Sequence, residues 1–304
     1  MTRKLLWGII VVLLVTNLTT LLVWVNTKEQ DSTSSTNKLA PVVEATEEPV
    51  ALVGDEKIHH EEWMATLQEQ YGEDILREMI DKQVVFQLAD QFEVDISNKL
   101  IQRELALMET MLPVMDESEI KLKREQWEND VQYRYFLEDL LTKDIGISEK
   151  KIKDFYEDHQ DQYEFHTTYQ FSHIVLPSKE TALKVKEELD NGAEFSMLAR
   201  EYSEDEYTKD KGGYLGYFSV ESRYLPSSYY EEAESLGQGE YSSPFQTDQG
   251  FVLLQLHRTL PPITFTYEEV KEQIKREIAL DYVSGSLSAS PLWKEIGVNW
   301  IYGD

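Results

Sequence analysis

The hydrophobic period changes once along this chain, and that change limits what it can build. From about residue 60 to 163 apolar residues recur three or four apart, as in Ile75, Leu76, Met79, Ile80, Val84, Leu88 and Phe92. That spacing places them on one face of a helix. At about Glu164 the spacing becomes alternation. In "TYQFSHIVLPS", Thr168 to Ser178, one strand face carries Tyr169, Phe171, His173 and Val175, and the other carries Gln170, Ser172, Ile174 and Leu176. An imidazole among aromatic and β-branched neighbours needs a partner or a task.

The helical stretch divides at its own signals. Trp63, Leu67 and Tyr71 mark one helix and the series from Ile75 to Phe92 a second. Ser97 is placed to cap the next, with Leu100, Ile101, Leu105, Met108 and Leu112 on its apolar side before Pro113. A longer helix after Ser118 carries Trp127, Val131, Tyr135 and Leu141, and Ser148 caps one with Ile152, Phe155 and Tyr156. Ahead of them, "VALVGDEKI" gives two short strand pieces about Gly54 and Asp55.

Past Glu164 the predicted order is strand, two helices, Gly-rich strand, short helix, turn and final strand "GFVLLQLHR". Ser178 caps the first of those helices, which ends at Asn191-Gly192, and Phe195, Leu198, Ala199 and Tyr202 form the stripe of the second. The unit is therefore α+β, one small sheet with helices against it. After Pro261-Pro262, "TYEE" from Thr266 to Glu269 is a capping box opening a helix with Val270, Ile274 and Ile278 in line.

At the amino terminus, Arg3 and Lys4 precede an apolar run from Leu5 to Val25, long enough to cross a bilayer. No small-x-small cleavage site follows, so the run reads as a retained, single-pass signal-anchor. Basic residues lead it and acidic ones follow, which keeps the terminus cytoplasmic and the rest extracytoplasmic. "EQDSTSSTNKLAPVVEATEEP" then reads as a flexible tether.

The net charge is −28, and since residues 1–28 carry three cationic side chains and no acid, the remainder carries −31. Such a surface argues against nucleic acid, which needs clustered Lys and Arg. With no cysteine, disulfides, thiol chemistry and a lipidated N-terminal Cys are excluded. "HHEEW" from His59 to Trp63 lacks the i, i+4 histidine pair of a zinc helix, and His159 with His166 lacks a third ligand. "GGYLG" is neither a P-loop nor a dinucleotide fingerprint, and no G-x-S-x-G occurs. No metal or cofactor is expected.

"FSHIVL" (171–176), "FSMLAREYSED" (195–205), "GGYLGYF" (212–218) and "YYEEAESLGQGEYSSPFQTDQGFVLLQL" (229–256) resemble, in order and spacing, the parvulin family of peptidyl-prolyl isomerases. The resemblance covers about Thr168 to Arg258. More weakly, "VALVGDEKIHHEEW" and the helices after it resemble the helical chaperone region of exported PrsA- and SurA-like foldases. The resemblance implies a four-stranded antiparallel sheet with surrounding helices, acting on the bond before proline. With the residue patterns above it divides the chain into five parts: 1–28 cytoplasmic terminus and transmembrane anchor, 29–49 linker, 50–163 helical chaperone region, 164–260 isomerase domain, and 261–304 a C-terminal helical segment packing on the chaperone region.

Carried over residue by residue, it puts His173, Asp205 and Thr247 in the catalytic floor. Leu215, Tyr230 and either Tyr224 or Leu225 fall in the proline pocket. The family's second histidine falls on Val252, so His173 needs another partner, for which Ser172, Thr247, Tyr169 and a backbone carbonyl are candidates. The implied partners are unfolded or partly folded exported proteins with X-Pro bonds, and the cytoplasmic membrane through residues 5–25. Two other readings stand beside the isomerase: a membrane-anchored holdase whose isomerase unit turns over little, and an envelope scaffold for one folded partner.

Overall fold

The computed structural model describes residues 49–303 apart from 284 and 286. The apolar run of residues 5–25 and almost all of the expected tether lie outside these. The chain divides into two compact units, Met1–Asp74 and Ile75–Asp304.

In the first unit, strands β1 (Ala51–Val53) and β2 (Glu56–Ile58) pair antiparallel about a turn in which Gly54 has φ +63°. All six strand residues are exposed. Helix α1 begins at His60 and continues to Gln91. The two helices expected here are therefore one. A lone Gly72 costs about 1 kcal/mol relative to Ala, but no proline removes a backbone donor and clashes with the preceding turn.

In the second unit, the rest of α1 is followed by α2 (Asn98–Glu109), α3 (Glu117–Thr142) and α4 (Glu149–His159). Asp116 caps α3, accepting from the Glu119 N–H at 2.9 Å and from the Ser118 hydroxyl. Ser148 caps α4, whereas Ser97 stands at the α2 N-cap without a side-chain bond. Helix α8 (Tyr267–Leu280) opens with the Thr266–Glu269 capping box. Its Val270, Ile274 and Ile278 share one core with Leu100, Ile101 and Leu105 of α2, Val131 and Tyr135 of α3 and Ile152 of α4. The last helix is thus packed on the earlier ones, its apolar stripe removed from water by elements more than a hundred residues away.

Four antiparallel strands form the sheet: β3 (Thr168–Leu176), β4 (Tyr214–Ser219), β5 (Phe245–Thr247) and β6 (Gly250–Leu260), in spatial order β4-β3-β6-β5. Ile174, Leu176 and Leu253 pack under α5 (Lys179–Asp190) and α6 (Phe195–Tyr202). On the other face Tyr169, Phe171, Val175, Val252, Leu254 and Leu256 pack against Tyr229, Tyr230 and Ala233 of α7 (Ser227–Glu234). All nine residues of β3 are buried. The alternation read from the sequence therefore separates two covered faces rather than a wet one from a dry one.

A buried ionic cluster ties the sheet to the helices. Glu109, the last residue of α2, is 0 % exposed. Its carboxylate lies between the Arg124 guanidinium of α3, at 2.6 Å, and that of Arg258 on β6. Arg258 also reaches Glu117 at 2.6 Å. Beside the cluster the Leu112 carbonyl accepts from the Tyr214 hydroxyl at 3.0 Å. Removing one member of a buried ion pair leaves the other uncompensated, at a cost of about 3–5 kcal/mol. Because Arg258 keeps Glu117, Glu109→Gln is expected to lower the unfolding free energy in urea by about 3 kcal/mol. An unchanged midpoint would mean that the cluster contributes nothing.

Candidate active site

His173 enters the face of β3 that packs under α7, and it is 4 % exposed. Burial pushes its pKa below the ordinary value, with the neighbouring Asp205 pulling the other way. A neutral ring in the core must satisfy one N–H and one lone pair. Nε2 lies 2.8 Å from Asp205 Oδ2 and 3.0 Å from Thr208 Oγ1, and Nδ1 lies 2.8 Å from the Tyr229 hydroxyl. The carboxylate can only accept, so Nε2 carries the proton and Nδ1 accepts from Tyr229 O–H.

Each member is held from its own element. Asp205 follows α6 in a turn pinned to β3: the Glu204 N–H donates to the Val175 carbonyl at 2.8 Å, and Ser203 Oγ accepts from Val175 N–H at 3.2 Å. Burial acts to raise the Asp205 carboxyl, but hydrogen bonds from Thr208, His173 and the Tyr207 N–H hold it below the usual range. Its side chain is 17 % exposed, so the carboxylate still opens to solvent. Tyr229 is buried in α7, and burial together with the Asp205 charge pushes its phenol well above the usual value. It therefore stays a donor. Gly213 closes the group from behind. It has φ +80°, the His173 N–H donates to its carbonyl at 2.9 Å, and a Cβ there would meet the His173 carbonyl oxygen at 2.2 Å. Only glycine fits.

Beside the polar group is an apolar one. Leu215, Leu225, Phe218 and Phe245 are partly buried against the cluster that contains Tyr229 and Tyr230. Of the two residues the sequence left open, Leu225 is part of this cluster and Tyr224 is 90 % exposed. Thr247 serves its own turn: its hydroxyl donates to the Gly250 carbonyl at 3.2 Å and accepts from the Gln249 N–H. The structure thus joins His173 with Asp205, and Leu215 with Leu225 and Tyr230, while Thr247 bonds within the β5–β6 turn.

The partners expected for His173 need correction. Tyr229, Asp205 and Thr208 fill that place, not Ser172, Thr247, Tyr169 or a carbonyl. Ser172 points to the other face and bonds His257 Nε2 at 2.7 Å. Val252 pairs across from Val175 and Leu254 across from His173, so the position of the absent second histidine is filled by aliphatic core. Thr208 had a readable signal, since a hydroxyl three residues after an aspartate suits a side-chain-locked turn. Among the described residues no group of three or more acids and histidines is placed to hold a metal.

Residues 147–272 match the PPIC-type PPIase domain. The chain is 38% identical over 258 residues to YacD of Bacillus subtilis, provisionally named a peptidyl-prolyl cis-trans isomerase, covering 84% of this chain and 86% of that one. It is 25% identical over 248 residues to the foldase protein PrsA 2 of Bacillus cereus, covering 81% of each. The crystal structure of a PrsA peptidylprolyl isomerase from Bacillus cereus aligns over 84% of this chain and 94% of that one, with 22% identity and a TM-score of 0.32.

Two histidines, His173 buried and His257 half-buried, set an acid limit. Burial lowers His257 to about 4, and His173 is lowered as well. The unfolded chain then binds protons more readily than the folded one, so the stability these groups contribute is complete above about pH 6.5. It is lost as pH falls toward the folded-state value, about 4 for His257. Urea unfolding is expected to show stability falling through this window. His257→Gln should flatten the fall by on the order of 2 kcal/mol, allowing for partial exposure. Equal slopes in both proteins would contradict the assignment.

Proposed function

This chain belongs to the PPIC-type, or parvulin, family of peptidyl-prolyl isomerases, and we propose that His173, Asp205 and Thr208 form its polar floor and Leu215, Leu225 and Tyr230 its proline grip. It is a peptidyl-prolyl cis/trans isomerase that assists the folding of exported proteins. The single observation that carries the site assignment is the hydrogen-bonded chain Tyr229–His173–Asp205–Thr208 beside the apolar cluster.

Rotation about an X-Pro bond is slow because amide resonance gives the C–N bond double-bond character, with a barrier of about 18–20 kcal/mol. No covalent bond has to break. A site that holds the ring and favours the twisted amide lowers the barrier by binding that form better than the planar ones. Resonance in the planar amide places negative charge on the carbonyl oxygen. The Asp205 carboxylate, ionised and held by three donors, would oppose that charge from alongside. With Nδ1 accepting from the Tyr229 hydroxyl and Nε2 donating to Asp205, His173 has no free lone pair to take a proton, so its role is to orient the carboxylate. Tyr229, by donating to Nδ1, fixes which nitrogen of His173 faces Asp205.

Residues 5–25 are proposed as the membrane anchor on their sequence alone. Among the described residues no helix is long and apolar enough to cross a membrane. The proposed partition stays 1–28, 29–49, 50–163, 164–260 and 261–304. A holdase contribution has its own support in a groove of about 290 Å³ lined by Leu76, Met79, Ile80, Val84, Ile296 and Val298, with Met79 exposed. Such a surface suits apolar stretches of an unfolded client.

The test is exchange of a proline peptide measured by NMR with the purified protein. Asp205→Asn keeps the shape and removes the charge, and it is expected to lower kcat/KM at least about tenfold. Wild-type rates in a folded Asp205→Asn protein would remove the electrostatic role.

A further inference from the structure

The carboxyl end of α1 carries charge that the fold does not use. Phe86, Ala89 and Asp90 recur at i, i+3 and i+4, one stripe of the helix, and Glu93 follows its last turn. With Gln132 and Phe136 of α3 they line a cavity of about 470 Å³, inside the range of small-ligand pockets, about 300–1,000 Å³. Phe86 and Phe136 are half-buried and meet edge to face, with ring centroids 5.5 Å apart. Asp90 and Glu93 are exposed.

Both acids stand where an anion is disfavoured. A helix C-terminus presents partial negative charge, and the last turn of α1 contains no basic residue. At the end of α2 the same conflict is answered by two arginines on Glu109. Among the described residues, neither the Asp90 nor the Glu93 carboxylate has a hydrogen-bond or ion-pair partner. Lys143, over the Phe92 ring at 3.8 Å, pairs with Glu295 instead. The backbone adds to the cost. Glu93 has φ +52°, its N–H donating to the Asp90 carbonyl at 3.1 Å while the Val94 N–H donates to the Ala89 carbonyl at 2.8 Å. Glycine is the usual residue in such a helix-ending turn, and it would carry no charge.

Two carboxylates, two aromatic rings and the carbonyl end of a helix together favour a cation on an apolar stem. The neighbouring surface of α1 decides what carries that cation. Gln87 lines the apolar groove of Met79, Ile80 and Ile296, and Phe86 lines this cavity, so the two sites meet at adjacent residues of one helix. A polypeptide can place an apolar side chain in the first and a basic one in the second. A small amine can use only the second.

We propose that the cavity between α1 and α3 binds a Lys or Arg side chain of an unfolded client, while an apolar neighbour in that client lies in the groove across α1. The inference rests on the holdase contribution proposed above and gives it a chemical preference, for basic–apolar segments over acidic ones.

Fluorescence anisotropy of the full-length protein with labelled, proline-free peptides tests it, the peptides differing only in one central Lys, norleucine or Glu among Leu and Ser. At low salt the Lys peptide is expected to bind about tenfold more tightly than the Glu peptide and about threefold more tightly than the norleucine peptide, with both ratios narrowing as salt rises. Asp90→Asn combined with Glu93→Gln should abolish the Lys preference and leave norleucine binding unchanged. Glu180→Gln combined with Glu187→Gln, which removes two exposed carboxylates from α5, should keep the preference. Equal wild-type affinity for all three peptides would overturn the inference, as would an equal loss of preference in both double variants. If the folded wild type bound none of them, the holdase reading would fall first and this inference with it.

Discussion

His173 can lie in the middle of a sheet only because both ring nitrogens are answered. A buried imidazole with an unmade hydrogen bond would cost about 1–3 kcal/mol, enough to favour an aliphatic residue on that strand. Here Asp205 and Thr208 take one nitrogen and Tyr229 the other. Everything near the site follows from meeting those demands. The turn after α6 must bring Asp205 back to β3, α7 must turn Tyr229 inward, and Gly213 must let β4 approach the His173 backbone. The same bonds leave an ionised carboxylate open to solvent beside apolar side chains. That combination suits the proposed site for amide rotation, in which no covalent bond has to break.

The helical region is welded to the sheet by a different device. Glu109 sits at a helix C-terminus, the end where the helix dipole disfavours an anion. Two arginines, one from α3 and one from β6, make its burial tolerable. A second tie joins the same elements, where the hydroxyl of Tyr214 on β4, next to Leu215, donates to the Leu112 carbonyl after α2. Strand β4 thus carries both the proposed proline grip and a tie to the helical region.

Much of this was legible in the sequence, for physical reasons that differ by element. Alternation in 168–178 reports local backbone geometry, and it assigned His173 to its face correctly. The Thr266–Glu269 box and the Ser148 and Ser178 caps are interactions within three residues, so they could be read directly. The fusion of the two expected helices into α1 was missed because glycine lowers helix propensity without forbidding the helix. Thr208 and Tyr229 were missed as partners of His173 because they lie 35 and 56 residues away and depend on how the post-α6 turn and α7 fold back. His257 carried no periodic signal either. It lies where the pairing of β3 with β6 slips, between Gln170 and Phe171, and there it meets Ser172.

The central claim is that His173 stays neutral with its proton on Nε2, held between Asp205 and Tyr229. Nitrogen-15 NMR of the His173 ring in the purified protein tests it most directly. A protonated Nε2, an unprotonated Nδ1 and a titration midpoint below the ordinary histidine value of about 6.5 are the expected result. A ring protonated at Nδ1, or one titrating at the ordinary histidine value, would contradict the account.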